Sequence, residues 1–558
     1  MEGTRITSKG IFRLAGSCMQ ALALLAVFAA TVSAPAPCRA AASLVIKTSS
    51  PWSVTGKDDL QQFKYLASGV GQEFEPSAAT TEGLRRVGIK TIRCINVDVV
   101  GTFDKDGKYS VEEGNSRLEP HLDLCRSLGA VPHIILAQGV PADLRVKEQD
   151  VADESLKKLI REGSYGPTNW TKFRGYCEAF FEYVLVTKGF PNAEFEVANE
   201  PDIGGGIYPF PPKPAIGSRA LYEAAFNLYK NVAEAAVSFE QKHPGVGVRL
   251  GGPALAWPFS FRYAEFNWTE RFLRDCSEQK VKLDFLGVHY YGDQGSLDGE
   301  YPTELPPFTD MLRATKGWVD MYCPGLPIEF TEWSPSCIMN FSDSAAVNAN
   351  HVGAAWAAAF LNTMLGCGVD KALFLVTTDL RQQENGNWVD IWGCGALFLN
   401  PPVYGGKAYP KPIYHLFDMV SRLEGHRIES TRGNDIVNCF VSADPDQRKI
   451  TMLVWNFGAV IPETGPDSEK AVTEKTQVRV RDAEDFFHSQ QVKVETWQIN
   501  ENTDNIHRML TTGVQPDENN TAMAQLATTT AKIAQGALDF QLVLPPSSVS
   551  LVVLTETE

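Results

Sequence analysis

The chain has 558 residues, 44% of them hydrophobic and 10% aromatic, so it is long and apolar enough to bury more than one core and is not a disordered chain. Its formal charge of −16 disfavours nucleic acid or an anionic membrane surface as a partner. Its cysteines form no CxxC pair and show no histidine spacing of the zinc kind, so no metal and no cofactor is expected.

The N-terminus carries Arg5, Lys9 and Arg13, then an apolar run from Met19 to Val32, then the small-residue stretch CRAAAS. That order reads as a secretory signal over residues 1–42 and predicts a secreted or periplasmic protein. The run is shorter than the roughly 18 residues a membrane span needs, so no span is expected. Beyond it stand Cys94, Cys125, Cys177, Cys276, Cys323, Cys337, Cys367, Cys394 and Cys439, read mostly as core residues with no connectivity to be deduced.

Residues 43–56 open with SLVIK, which alternates like a strand. From residue 57 to 425 a single unit recurs: a helical pattern, a glycine stop, then a short apolar strand. LEPHLDLCRSLGAVPHIIL is one example, with Leu122, Cys125 and Leu128 at helical spacing before Gly129. RALYEAAFNLYKNVAEAAVSFEQKH is the clearest helix, its stripe running through Leu221, Ala225, Leu228, Val232, Ala235 and Phe239. NANHVGAAWAAAFLNTMLGCG is alanine-rich but contains Asn350, His351 and Asn362, and reads as a buried helix rather than a span. Strands near residues 65, 91, 132, 196, 248, 285, 328 and 373 make this an α/β fold, a (β/α)8 TIM barrel. From 426 to 558 strands follow one another without helices, ending in ALDFQLVL, which alternates apolar and polar; this segment reads as a β-sandwich. The early strand in 43–56 is expected to join it, and the polar stretch 498–536 reads as a surface excursion. Asn169, Asn267, Asn340 and Asn519 match glycosylation sequons.

Two strands end in glutamate. FEVANEPD runs into Asn199 and Glu200 before Pro201, and the proline forces the chain out of the strand there. LPIEFTEWSPS carries Glu332 in the same position, flanked by Trp333. Strand ends of a parallel barrel share one rim, so the two carboxyl groups are expected to face each other. At a separation of about 5–5.5 Å such a pair suits a retaining glycosidase, with Glu200 protonating the leaving oxygen and Glu332 attacking the anomeric carbon. Asn199 is placed to hydrogen-bond a sugar hydroxyl, and its alternative is a turn cap.

FEVANEPD, the long helix leading into VGVRLGGPA and WTERFLRDC, then LDFLGVHYY, FTEWSPS and KPIYHLFDMVSRL occur in one order over about residues 60–425. In this the sequence resembles glycoside hydrolase family 39, a family of retaining β-xylosidases and α-L-iduronidases. The resemblance implies that Glu200 is the acid/base and Glu332 the nucleophile. It also implies that His289 and Tyr291 contact the sugar and that Arg93 orients the nucleophile. Trp333 is counted with them as substrate-binding. The chain departs from the family pattern at Ala198, where a tryptophan is common, and after strand eight, where Gln382 and Gln383 stand at the positions of a glutamate pair. The expected substrate is a glycoside, with a β-xylosidase first and another glycosidase of the same clan, or a catalytically silent sugar-binding barrel, as alternatives.

Overall fold

A computed structural model describes residues 42–557, except 53–55, 57, 74–75, 96, 98–100, 113–116, 137–140, most of 145–166, 205–214, 257–265, 293–307, 435, 458–471 and 504. The secretory signal expected at the N-terminus, Ala42 apart, lies outside the described residues.

Eight short strands alternate with helices and close on themselves. They are β1 (Gly69–Gln72), β2 (Thr91–Cys94), β3 (Val131–Leu136), β4 (Glu194–Val197), β5 (Arg249–Leu255), β6 (Phe285–Tyr291), β7 (Ile328–Ser334) and β8 (Lys371–Phe374). Each pairs in parallel with its sequence neighbours, and β8 pairs with β1 to complete the barrel. The first strand starts later than the sequence pattern suggests. Asp58 accepts a hydrogen bond from the Gln61 amide and caps a helix, Asp59–Leu66, that buries Leu60, Phe63 and Leu66, so residue 65 is helical.

Alternation along the strands sorts the side chains. Ile92, Cys94, Phe195, Val197, Leu250 and Phe330 point outward into the layer between barrel and helices. The long helix Arg219–Lys242, capped by Ser218, lays Leu221, Leu228, Val232 and Phe239 into the same layer. Each such side chain contributes about 1.5–3 kcal/mol relative to exposure. The inward positions are mostly polar: Arg93, His133, Glu194, Glu196, His289, Glu329 and Lys371 are all buried.

Beyond the barrel, strands Val437–Asp444, Lys449–Asn456 and Ser548–Glu556 are buried on both faces. One face, with Val441, Met452, Val454 and Val552, belongs to an inner β core. The other, with Phe440, Leu453, Trp455 and Leu551, joins the barrel's outer layer. This explains why KITMLVWNF reads as a continuous apolar run, and why the alanine-rich helix His351–Gly366, which packs on this face, is buried almost throughout. Among the described residues no helix is long and apolar enough to cross a membrane.

The strand Ser43–Pro51 pairs antiparallel with His426–Ser430 and parallel with Glu474–Arg481. The C-terminal domain differs from a plain two-sheet sandwich, because pairing runs as a closed ring round nine strands, eight from the C-terminal region and Ser43–Pro51. The stretch 498–536 is more ordered than its polarity implies. It holds a helix, Ile506–Thr511, and a strand, Gln525–Ala534, that pairs with Gln491–Ile499. That strand is threonine-rich and exposed along most of its length, so β propensity rather than alternation forms it. Asn169 and Asn267 each cap a helix N-terminus, accepting from the amides of Lys172 and Glu270, which gives two of the sequons a structural reason.

Candidate active site

At the C-terminal end of the barrel the chain bends sharply after β4. Ala198 and Glu200 adopt φ of 68° and 50°, left-handed values on residues with a Cβ, at a cost on the order of 1–3 kcal/mol each. The turn is tied down by the Ala198 amide donating to Leu136 O and the Glu200 amide to Ala254 O, at 3.0 and 2.8 Å. It carries Glu200 past the end of β4 into the barrel mouth, on the side to which Glu194 and Glu196 point.

Glu332 reaches the same mouth by a different device. Pairing of β7 slips by one residue between Phe330 and Glu332 against β6, and between Phe330 and Trp333 against β8. Without this bulge, strict alternation from Glu329 would point Thr331 and Trp333 inward and Glu332 outward. The bulge hands the inward position to Glu332.

This corrects the expectation for Trp333. Its ring is fully buried against Trp356, Phe360, Phe374 and Phe417 on the helix side of the barrel, and it does not reach the mouth.

The other sequence-predicted residues converge. His289 and Tyr291 lie on the inward face of β6, and Arg93 on that of β2. One carboxylate oxygen each of Glu200 and Glu332 and one ring nitrogen of His289 all lie within 4.8 Å of one another. Glu332 is the deeper carboxylate, with its side chain 9% exposed against 22% for Glu200. Its Oε1 accepts from Arg93 Nη1 and its Oε2 from Tyr291 Oη. His289 Nδ1 stands 3.0 Å from Glu200 Oε1 and 3.4 Å from Glu332 Oε2. With Arg93 Nη2 3.4 Å from Nε2, a neutral ring places its proton on Nδ1, facing both carboxylates. Arg93 Nη2 also donates to Asn199 Oδ1 at 2.7 Å, which orients the Asn199 amide at the rim.

These contacts set the charges. Burial by itself raises the Glu332 carboxyl, but the charges of His289 and Arg93 and the hydrogen bonds from Tyr291 and Arg93 outweigh it and hold it below the usual carboxylate range. Burial lowers the His289 ring, and the facing Glu332 and Glu200 outweigh that and raise it. Tyr291 is pushed well up, by burial first and then by Glu332, so it stays a donor.

The mouth opens into a cavity of about 380 Å³, near the lower end of the roughly 300–1,000 Å³ range of ligand sites. Ile95, Ile203, Met339, Leu375 and Leu380 form apolar walls around Asn199, Glu200, Tyr291 and Glu332. Glu73, just past β1, also lines it. Sequence reasoning missed Glu73 because it set the first strand near residue 65, although the same strand-end signal marks it. Gln382 and Gln383 are not on the cavity wall. They belong to a hairpin, Leu380–Glu384 with Asn387–Ile391, where Gln382 donates to Glu384 and Gln383 is exposed.

The family model for glycosyl hydrolases family 39 matches residues 192–517, more than half of the chain. The chain belongs to that family. It is 24% identical over 302 residues to a β-xylosidase of Caldicellulosiruptor saccharolyticus, a match covering 50% of this chain and 51% of that protein. With a β-xylosidase of Geobacillus stearothermophilus the figures are 24% over 307 residues, 52% and 53%. The match thus spans about half the length of these relatives. In fold the chain is similar to the GH39 enzyme from Xanthomonas axonopodis pv. citri, with a TM-score of 0.69 at 17% identity over 93% of this chain and 98% of that one.

Proposed function

We propose that the chain is a retaining β-glycosidase of the β-xylosidase type, working on neutral glycosides by a two-glutamate double displacement. The observation that carries this is the carboxylate pair Glu200 and Glu332, held with His289 within 4.8 Å. That approach of the facing oxygens is shorter than the separation of about 6.5–9.5 Å between carboxyls at which an inverting pair admits a water, and it favours retention.

In the first step an oxygen of Glu332 bonds to the anomeric carbon while the bond from that carbon to the leaving oxygen breaks, and Glu200 gives its proton to that oxygen. In the second step water attacks the same carbon, Glu200 takes the water's proton, and the bond to Glu332 breaks. Arg93 and Tyr291 keep Glu332 ionised before the first step and accept its return as a leaving group in the second. His289 faces both carboxylates and buffers the charge that passes between them. The Asn199 amide, fixed by Arg93, has its NH2 group available for a sugar hydroxyl.

Among the described residues three carboxylates, Glu73, Glu200 and Glu332, line the cavity, while Arg93 and His289 are engaged beneath. This arrangement repels a uronate and supports a neutral sugar. The β-xylosidase relatives support xylose in particular. The N-terminal stretch supports export of the enzyme.

The test is hydrolysis of aryl β-xyloside with the product's anomeric configuration followed by NMR in the first minutes. β-Xylose as first product is the expected result, and α-xylose would refute retention. A preference of more than about tenfold, roughly 1.4 kcal/mol in transition-state binding, for an aryl arabinoside, galactoside, glucoside or iduronide would replace xylose and leave the mechanism standing.

A further inference from the structure

Below the candidate site the inward face of β4 presents one more carboxylate, Glu196, four residues before Glu200 and fully buried. Its Oε2 accepts from Arg93 Nε at 2.9 Å and lies 2.8 Å from Arg93 Nη2. Behind it His133 Nε2 stands 3.5 Å from the same oxygen. Arg93 is therefore gripped along its Nε edge by Glu196, which leaves Nη1 for Glu332 and Nη2 for Asn199. A second strand accommodates this grip: a Cβ at Gly287, on the inward face of β6, would lie 2.4 Å from Glu196 Oε1. A glycine at that position leaves the notch the carboxylate fills.

We infer that Glu196 is a positioning residue, the anchor that aims the Arg93 guanidinium at Glu332 and Asn199. The inference rests on the proposed function for its catalytic consequence but not for its geometry. A buried guanidinium surrounded by Glu196, Glu332, Asn199 and His289 has several partners to turn towards, and the shared Glu196 oxygen removes that choice. The anchor also takes up part of the arginine's charge. With Glu196 present, Arg93 holds Glu332 ionised without binding it so tightly that its attack is suppressed.

The experiment uses E196Q, which keeps an acceptor at the same place and removes the charge, and E196A, which removes both. For each, kcat and KM on an aryl glycoside, the acid limb of kcat/KM against pH, and the melting temperature are measured in the full chain. The acid limb reports ionisation of the nucleophile in the free enzyme. In E196Q the unshared charge of Arg93 falls on Glu332, so the limb moves to lower pH and kcat falls about tenfold with KM within a few-fold. In E196A the guanidinium loses its aim, so the limb moves to higher pH and kcat falls about 100-fold. A role in folding alone lowers the melting temperature without separating the two limbs. If E196A does not fold, the isosteric E196Q decides. An unmoved limb with kcat within twofold of the unsubstituted enzyme overturns the inference. The aim of Arg93 is also read without turnover, from its Nε–H NMR signal, identified by its loss in R93K. A slowly exchanging signal that becomes fast in E196A supports the anchor even if no aryl glycoside is hydrolysed, in which case the proposed function alone fails. An Nε–H that exchanges equally fast in both proteins overturns it.

Discussion

The two mouths of the barrel hold the same kinds of side chain in opposite electrical states. At the N-terminal mouth His133, Glu194 and Glu329 offer atoms within 4.8 Å of one another, as Glu200, His289 and Glu332 do at the other end. The lower cluster opens on the larger cavity, about 880 Å³. There, however, Lys371 contacts both glutamates and Arg249 donates to both, so each carboxylate has a permanent cation. At the upper mouth Arg93 is divided between Glu196 and Glu332, and among the described residues Glu200 pairs with His289 and with no lysine or arginine. Among the described residues the two upper carboxylates therefore have one permanent cation fewer than the two lower ones. A carboxylate without a permanent cation is the one suited to exchange a proton with substrate, whereas both lower carboxylates are already paired with lysine and arginine. Cavity size would choose the wrong mouth, and charge balance chooses the one that can do chemistry.

The comparison is broken most severely by removing the deeper upper carboxylate. E332A is expected to lower kcat on aryl glycosides by about 10⁴-fold or more, because it removes the proposed nucleophile. Initial rates with a chromogenic glycoside check it, and residual activity within tenfold would mean another nucleophile. Next, E200Q removes the proposed proton donor. Its effect should depend on the leaving group, about 10²- to 10⁴-fold for a poorly leaving alkyl glycoside and much less for a nitrophenyl glycoside that needs no proton. Equal losses on both would count against Glu200 as the acid.

The lower mouth should respond in stability rather than in rate. K371M leaves Glu194 and Glu329 buried with Arg249, which is itself partly exposed, as their remaining full cation. Loss of one partner from such a buried network costs about 3–5 kcal/mol. Urea unfolding should show that cost while kcat of the folded fraction stays within a few-fold. A large kcat loss with unchanged stability would mean that the two mouths are not separable in this way.

Much of this organisation is legible in the sequence. The helix and strand alternation predicts the eight strands, strand-end position identifies Asn199, Glu200 and Glu332, and the family resemblance adds Arg93, His289 and Tyr291; the fold brings all six to one rim. What the pattern hides is local backbone geometry. Nothing in LPIEFTEWSPS announces the extra residue in β7, so Trp333 reads as a neighbour of the sugar when the bulge sends it to the helix layer. Asp58 as a helix cap moves β1 on and with it brings Glu73 to the rim. The lower cluster is hidden for another reason. Glu194, Arg249, Glu329 and Lys371 are each an isolated charge at the start of an apolar strand, and only closure of the barrel joins them.

The smallest effect concerns both mouths at once and follows from the directions in which their groups are displaced. Glu194, Glu196 and Glu332 are held below the ordinary carboxylate value of 4.5 although burial opposes it: His133 and Lys371 hold Glu194 down, Arg93 and His133 hold Glu196, and His289 and Arg93 hold Glu332. A depressed carboxyl stabilises the fold fully above its unfolded value, and that contribution is lost as pH falls through the folded one. His133 and His289 are displaced the other way, above 6.5, because facing glutamates outweigh their burial. A raised histidine stabilises the fold fully below its unfolded value, and that contribution is lost as pH rises through the folded one. Both sets contribute in full only between about pH 4.5 and 6.5, so the melting temperature should be highest there and fall on either side. Asp390, raised from 3.8 to about 6 chiefly by burial, contributes fully only below about pH 3.8 and loses that contribution as pH rises to about 6, so it draws the maximum toward the acid end of this window. Thermal scans across pH 3–9 check the profile. H133N, which stays neutral, should flatten the alkaline fall and, because His133 also helps hold Glu194 and Glu196 down, reduce the acid fall as well. A maximum above pH 8 would show that the buried histidines are not charged in the folded protein.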